Sequence, residues 1–191
     1  MKPILLSLLF ITLLATLSCS SCKKETVVVN PASQLPAATQ TGANTFGCLI
    51  NGVAFTPKGY LFGAPSLLCA YQFIQNKGYN FQLSADDFSN SSDVTGVGVY
   101  TDSMRIKENT SYSLITNNIP NSAYGLYSHV TTQDPFATPV YTKTLMPGSL
   151  SITRYDSIKQ IVSGTFWFYA LTTKGDTIKI TDGRFDMQYT K

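Results

Sequence analysis

The pattern of apolar and polar positions divides the chain into two unlike parts. Residues 4–17 form a predominantly apolar run, whereas from residue 45 onward short alternating or apolar runs are separated by turn signals. Alternation with a period of two, bounded by Gly, Asn and Asp, is typical of β-strands. No segment after residue 45 has a convincing helical period. The pattern therefore predicts one all-β domain over residues 45–191.

Turn signals indicate how these strands pair. Asn51-Gly52 lies between the runs at 46–50 and 53–56, which is a strong signal for a two-residue hairpin. Further strands are predicted at residues 67–75, 79–85, 95–100, 111–116, 124–131 and 140–144. We expect an antiparallel β-sandwich or a flattened barrel of roughly nine to eleven strands. Periodicity does not distinguish these two architectures.

The last third of the chain predicts a four-strand meander. Two-residue hairpins are expected at Asp182-Gly183 and Lys174-Gly175, and a four-residue loop at 156–159. A slip of one residue reverses the faces of a strand. All three turns place the same set of apolar residues on one face, which supports the predicted registers. That face is predicted to be a core layer made of Leu150, Ile152, Trp167, Tyr169, Leu171, Ile178, Ile180, Phe185, Met187 and Tyr189.

The same registers leave Val162, Phe166 and Phe168 on the opposite face of the meander. They also set Lys179 opposite Asp186, which would be an attractive cross-strand pair. A second sheet or the N-terminal segment could cover the three apolar side chains. If nothing covers them, they form a candidate docking surface, because monomers rarely expose a large apolar patch without a use for it.

Composition excludes several functions. Charged residues make up 13% of the chain, the net charge is +3, and the basic residues are scattered, so a nucleic-acid partner is not expected. His129 is the only histidine, and the residues around it in the sequence do not supply a nucleophile and an orienting acid in mutual reach. No catalytic, cofactor or metal site is therefore predicted. A cleft uniting His129 with an Asp and a Ser would point instead to a hydrolase.

The apolar run at 4–17 predicts an export signal. It follows Lys2, it precedes small residues and cysteines, and fourteen residues are too few to span a bilayer, which needs about 20. Cys22 is the favoured site of lipid attachment, and Cys19 is the alternative. Conventional cleavage that leaves both thiols unmodified is the remaining possibility. We expect residues 1–21 to be removed and acyl chains on Cys22 to anchor the mature protein.

Residues 22–44 predict a flexible tether between the anchor and the domain. The segment contains no aromatic residue, and Pro31 and Pro36 interrupt any regular structure. Such a composition is typical of extended linkers.

Two further cysteines, Cys48 and Cys69, lie in the first two long strands of the domain. Export places them in an oxidising compartment, where a disulfide persists, so we expect them to be bonded. Two buried free thiols are the alternative, because free cysteine packs well in protein cores.

Both ends of the domain resemble a known group of proteins. Residues 44–57 read Asn-Thr-Phe-Gly-Cys-Leu-Ile-Asn-Gly-Val-Ala-Phe-Thr-Pro, and residues 148–153, 163–168 and 180–186 carry the closing motifs. These segments are similar to the opening and the end of uncharacterised Bacteroidota lipoproteins, with a divergent middle. The matching residues are turns and alternating core positions, so the resemblance implies an all-β fold and carries over no activity.

The resemblance also implies a candidate modification. That bacterial group attaches O-glycans to exported proteins at Asp followed by Ser or Thr and then an apolar residue. Ser157 and Ser103 fit this short pattern, and Ser157 lies in a predicted loop, where it would be the more accessible of the two.

Taken together, the sequence predicts a lipid-anchored protein of the cell envelope, in the outer membrane, with the membrane face left open. Its domain is expected to be a non-catalytic interaction or structural module. The alternative is a β-domain that binds a small ligand or a glycan. The expected partners are the membrane, through the N-terminal lipid, and an envelope protein or glycan.

Overall fold

A computed structural model describes residues 30–191 as an all-β fold with one 3-10 helix, Pro31–Gln34. Its strands are β1 (Thr45–Ile50), β2 (Val53–Phe55), β3 (Tyr60–Leu61), β4 (Ala64–Pro65), β5 (Leu67–Ile74), β6 (Gly78–Asp87), β7 (Asp93–Asp102), β8 (Thr110–Ser113), β9 (Ser122–Thr131), β10 (Val140–Tyr141), β11 (Gly148–Asp156), β12 (Ile161–Leu171) and β13 (Thr177–Gln188). The all-β prediction is confirmed.

Two antiparallel sheets form a sandwich. One has six strands in the order β2-β1-β13-β12-β11-β8, and the other has five in the order β10-β9-β7-β6-β5. Strands β3 and β4 form a separate hairpin. Of the two predicted architectures the sandwich is therefore correct, and the described strands do not close into a barrel. Strands β3 and β4, each two residues long, were not predicted and bring the number to thirteen, above the predicted nine to eleven.

The core lies between the two sheets, and the six-stranded sheet contributes several aromatic rings to it. Three of these rings lie directly on glycines, since a Cβ placed at each glycine would meet the ring at less than 3 Å. The pairs are Phe168 on Gly125 (2.7 Å), Phe166 on Gly183 (2.7 Å) and Phe185 on Gly164 (2.8 Å). Such contacts stabilise strands that contain glycine, because the ring covers backbone that would otherwise lack a packing partner.

Several predicted turns and core positions are confirmed. Asn51 and Gly52 connect β1 to β2 with φ angles of 49° and 82°, the type I′ geometry that this dipeptide favours. Asn76, with φ 67°, lies in the turn between β5 and β6, which separates the strands predicted at 67–75 and 79–85. Six residues of the predicted core layer are buried: Leu150, Ile152, Ile180, Phe185, Met187 and Tyr189.

The predicted hairpin at Asp182-Gly183 is wrong. Strand β13 runs through this dipeptide, so the C-terminal meander has three strands, β11 to β13, instead of four. Phe166 pairs with Gly183 and Phe168 pairs with Ile180, which leaves two residues of β13 opposite Trp167. This is a β-bulge, and Asp182 adopts the left-handed conformation there with φ 53°.

The faces predicted for β12 are reversed. The loop between β12 and β13 spans residues 172–176, and Leu171 pairs with Thr177, whereas a two-residue turn would have paired Leu171 with Ile178. The loop before β12 keeps the predicted four residues but lies one position later, at 157–160, which alone does not change the face of the strand. A bulge in β11 between Ile152 and Arg154 supplies the shift of one residue there, and each such shift reverses the faces.

The predicted docking surface is therefore wrong. Val162, Phe166 and Phe168 are buried in the core between the sheets, and cover by a second sheet was the correct alternative. Trp167, which was predicted to lie in the core, is exposed over 40% of its surface instead.

The predicted disulfide is also wrong. Cys48 in β1 and Cys69 in β5 are both free thiols, and both are buried in the hydrophobic core. They pack in the core as small apolar residues do, so the alternative of two buried free thiols is correct. Burial raises the pKa of both thiols, because the thiolate would lose its hydration.

The N-terminal segment does not form a tether over residues 30–44. Leu35 is buried, and Pro36 lies so close to β1 that a Cβ at Gly47 would be 2.6 Å from its ring. Arg154 of β11 donates a hydrogen bond to the Gln40 carbonyl at 2.6 Å. We call residues 35–44 the strap, because they cross the outer face of the six-stranded sheet. The folded domain therefore begins before residue 45.

Candidate functional site

The outer face of the six-stranded sheet has two halves. The strap covers the first half, whose central residue is Asp186. The second half is open, and its central residue is Trp167. Because β12 and β13 contribute to both halves, the two surfaces are held rigidly side by side.

Asp186 fixes the strap to the sheet. Its side chain is completely buried, and its carboxylate accepts six hydrogen bonds. The donors are Thr39 Oγ1 (2.7 Å), Thr41 N (2.8 Å), Thr41 Oγ1 (3.2 Å), Gly42 N (2.7 Å), Ala43 N (3.2 Å) and Ser163 Oγ (2.7 Å). Five of these come from the strap, so the carboxylate satisfies backbone that would otherwise lie buried without partners.

The electrostatics of this contact depend on hydrogen bonding rather than on an opposite charge. Burial alone would raise the pKa of Asp186, but the bonds from Thr39, Ser163, Thr41 and Gly42 outweigh it and hold the pKa well below its ordinary value. The predicted partner Lys179 is not involved. It pairs with Tyr169, and its Nζ lies 5.9 Å from the centre of that ring.

The open half is a groove with aromatic residues at its floor. Trp167 and Tyr169 project from β12 with ring centroids 5.7 Å apart and planes inclined by 66°. The groove has a volume of about 620 Å³, and Ala38 of the strap lines part of it. The covered half thus supplies part of the lining of the open half.

Polar groups surround the two rings. Ser149 pairs with Trp167 on one side, and Thr165 pairs with Arg184 on the other. The groove is also lined by Asp182, whose backbone carbonyl accepts a hydrogen bond from Arg184 Nε at 3.3 Å. Hydroxyl, guanidinium and carboxylate groups therefore lie within one groove beside an exposed indole.

Sequence reasoning missed this groove because it placed Trp167 in the core. The signal was present in β12, where Thr165, Trp167 and Tyr169 alternate with Phe166, Phe168 and Ala170. Every residue of the second set is apolar, while the first set contains a hydroxyl and two aromatic residues with polar atoms. The alternation itself indicates which face is the core.

A second cavity, of about 480 Å³, contains His129. His129 Nε2 lies 2.7 Å from Asp93 Oδ1, and both side chains are largely exposed. Asp134 and Asp176 also line the cavity, but no serine does. In the part of the chain that the structure describes, His129 has no hydrogen bond to a hydroxyl nucleophile, which a serine hydrolase needs.

The other predicted site residues fall in different places. Cys22 and Cys19 lie outside residues 30–191. Ser157 is exposed in the turn after β11, whereas Ser103 is half-buried with its Oγ 3.0 Å from Asp102 Oδ1. Among residues 30–191, no group of three or more His, Cys, Asp or Glu side chains could hold a metal ion. No helix in that range is long and apolar enough to cross a membrane.

The fold and the groove together define a β-sandwich with one strapped sheet and an aromatic, polar-rimmed surface. Comparisons of the chain with protein-family models, with curated proteins and with solved structures found no match. The resemblance to Bacteroidota lipoproteins stays a prediction from the sequence.

Proposed function

We propose that this protein is a lipid-anchored component of the bacterial envelope whose sandwich is a non-catalytic module that binds carbohydrate in the open groove. The groove supports the binding part of the proposal, and the leader sequence supports the anchor. The two parts are independent and are tested separately.

The observation that carries the binding part is the exposed indole of Trp167 among polar groups. A pyranose ring has an apolar C–H face that packs on an aromatic ring, and hydroxyl groups around its edge. Trp167 and Tyr169 offer the packing surface, and Ser149, Thr165 and Arg184 offer hydrogen-bond partners. A binding groove of this size with a few polar groups around an aromatic floor is typical of small-ligand sites.

The anchor follows from the order of segments at the N-terminus. A positive start, an apolar run of fourteen residues and small residues before Cys22 favour export and acylation, with Cys19 as the alternative site. The resemblance to Bacteroidota lipoproteins favours the outer membrane. Several acyl chains would hold the domain at the membrane surface permanently.

The binding proposal is tested by affinity electrophoresis with soluble polysaccharides of plant and bacterial origin in the gel. We expect at least one of them to retard the wild-type protein, and Trp167→Ala to abolish the retardation. Phe136→Ala is the matched control, because Phe136 is an exposed aromatic residue outside the groove. It should migrate like the wild type.

Two results would contradict the binding proposal. One is retardation that survives Trp167→Ala, which would place the glycan elsewhere. The other is the absence of retardation together with photocrosslinking of an envelope protein to position 167, which would make the groove a protein-docking site.

The anchor is tested by mass spectrometry of the N-terminal peptide from the wild type and from Cys22→Ala and Cys19→Ala. We expect acyl chains on Cys22 and their loss in Cys22→Ala only. Loss in Cys19→Ala alone would move the anchor to Cys19. A wild-type peptide without acyl chains would remove the membrane assignment.

A further inference from the structure

The hairpin formed by β3 and β4 carries an unusually apolar tip. Phe62 is fully exposed and Tyr60 is exposed over 74% of its surface. No charged residue occurs between Gly59 and Asn76 in the sequence. Exposed large aromatic residues on a projecting hairpin have no packing role in the sandwich, so they indicate contact with something outside it.

Backbone strain at the tip supports this reading. Phe62 and Gly63 have φ angles of 49° and 82°, the same values as Asn51 and Gly52 in the other two-residue hairpin. Asparagine tolerates the left-handed conformation, but a bulky residue is strained in it. The chain therefore keeps a phenylalanine where asparagine would fold more easily, which indicates that the ring itself is used.

The hairpin lies close to the point where the chain enters the domain. Pro57 and Leu67, which flank the hairpin, line one shallow pocket together with Gln34, Leu35 and Pro36. Gln34 is the last residue of the 3-10 helix, and Leu35 and Pro36 begin the strap. The helix has only four residues and rises about 2 Å per residue, so its first residue also lies near this pocket.

The length of chain before this point limits how far the domain can be from the anchor. Seven residues, 23–29, separate Cys22 from Asn30. An extended chain covers at most about 3.6 Å per residue, so an acylated Cys22 would lie within about 29 Å of Asn30. An apolar hairpin beside such a short connection is within reach of the bilayer surface.

We propose that the Tyr60–Phe62 tip inserts into the interfacial region of the membrane to which the protein is anchored. This inference rests on the proposed lipid anchor. Aromatic side chains partition favourably at the boundary between headgroups and acyl chains. The tip would act as a second contact beside the lipid, so that the domain keeps one orientation to the membrane.

The test uses the acylated, full-length mature protein in vesicles of phosphatidylethanolamine and phosphatidylglycerol. An environment-sensitive fluorophore is attached through Ala64→Cys, an exposed position on the hairpin, while Cys48 and Cys69 are shielded by burial. We expect a blue-shifted emission and quenching by lipids that carry a quencher near the headgroup. Phe62→Asn should reduce the quenching severalfold, whereas Phe136→Asn should leave it unchanged.

The asparagine variant keeps folding separate from membrane contact. Because Asn51 already occupies the matching position of a turn with the same φ angles, Phe62→Asn should unfold at the same temperature as the wild type or a higher one. Lost quenching in a variant that is at least as stable cannot be due to misfolding.

Three results would overturn the inference. An unquenched probe on an acylated, vesicle-bound protein would refute the insertion and leave the anchor intact. A blue shift that needs no vesicles and grows with protein concentration would show that the tip packs on a second copy of the chain. An N-terminal peptide without acyl chains in the same sample would remove both the anchor and the inference.

Discussion

The covered and open halves of the six-stranded sheet are built from the same strands but differ in what lies over them. In the covered half, the strap brings three backbone N–H groups and two hydroxyls to the carboxylate of Asp186. In the open half, Trp167 and Tyr169 have solvent above them. The difference shows that the chain can close one part of a polar β-surface through a single carboxylate and leave the next part of the same strands open.

Substitution of the two aspartates of β13 should separate the halves most clearly. Asp186→Asn replaces an acceptor oxygen with an amide that faces N–H donors, and we expect a loss of about 3 kcal/mol in the free energy of unfolding. Asp182→Asn, at the exposed bulge, should change it by less than about 0.5 kcal/mol, because asparagine tolerates the left-handed conformation. Urea denaturation measures both, and equal losses would contradict the distinction between the halves.

The strap itself can be displaced by adding one carbon atom. A Cβ at Gly47 would lie 2.6 Å from Pro36 Cδ, so Gly47→Ala should destabilise the protein by about 2 kcal/mol as the strap shifts. Ser149→Thr adds one carbon to the open half and should change the stability by less than about 0.5 kcal/mol. A Gly47→Ala protein with wild-type stability would show that the strap contributes little.

Acid should weaken the covered half specifically. The pKa of Asp186 is lowered in the folded state, so its contribution is complete above the unfolded pKa, near 4, and is lost as the pH falls towards the folded value. The advantage of the wild type over Asp186→Asn should therefore fall by about 1.4 kcal/mol per pH unit below pH 4. Urea midpoints of both proteins between pH 2 and 7 measure this, and a constant difference would contradict it.

In the open half, the removal of the aromatic floor should cost less stability than the loss of Asp186. Because Trp167 is 40% exposed, Trp167→Ala should cost about 2 kcal/mol. Thermal unfolding measures the cost. A loss as large as that of Asp186→Asn would make Trp167 a structural residue and weaken the case for a ligand.

Local signals in the sequence predicted most of the strands. One error arose because the same kind of dipeptide can form either a hairpin turn or a β-bulge. Asn51-Gly52 and Asp182-Gly183 both combine a residue that tolerates positive φ with glycine. The first forms a hairpin, and the second forms a bulge inside β13. Both arrangements keep Ile180 and Phe185 on the core face, so side-chain pattern alone does not distinguish them.

The strap and the groove were missed for a different physical reason. Residues 35–44 are held mainly by backbone hydrogen bonds to Asp186, and backbone donors leave no trace in a pattern of apolar side chains. The groove was missed because the register of β12 was predicted wrongly. That register depends on the bulge in β11 between Ile152 and Arg154 and on a following loop of five residues instead of two. Such details are fixed by tertiary contacts that lie outside the local window.

The three phenylalanine rings that lie on glycines have a consequence for how the sequence can change over time. A larger residue at Gly125 would collide with Phe168, and a smaller residue at position 168 would leave Gly125 uncovered. Neither partner can be exchanged alone without loss, so substitutions at the two positions are expected to arise together. Homologous sequences should show this covariation. At Gly164 and Gly183 a Cβ would also meet the backbone oxygens of Ser151 and Phe166, so glycine is expected to persist there whichever ring lies over it.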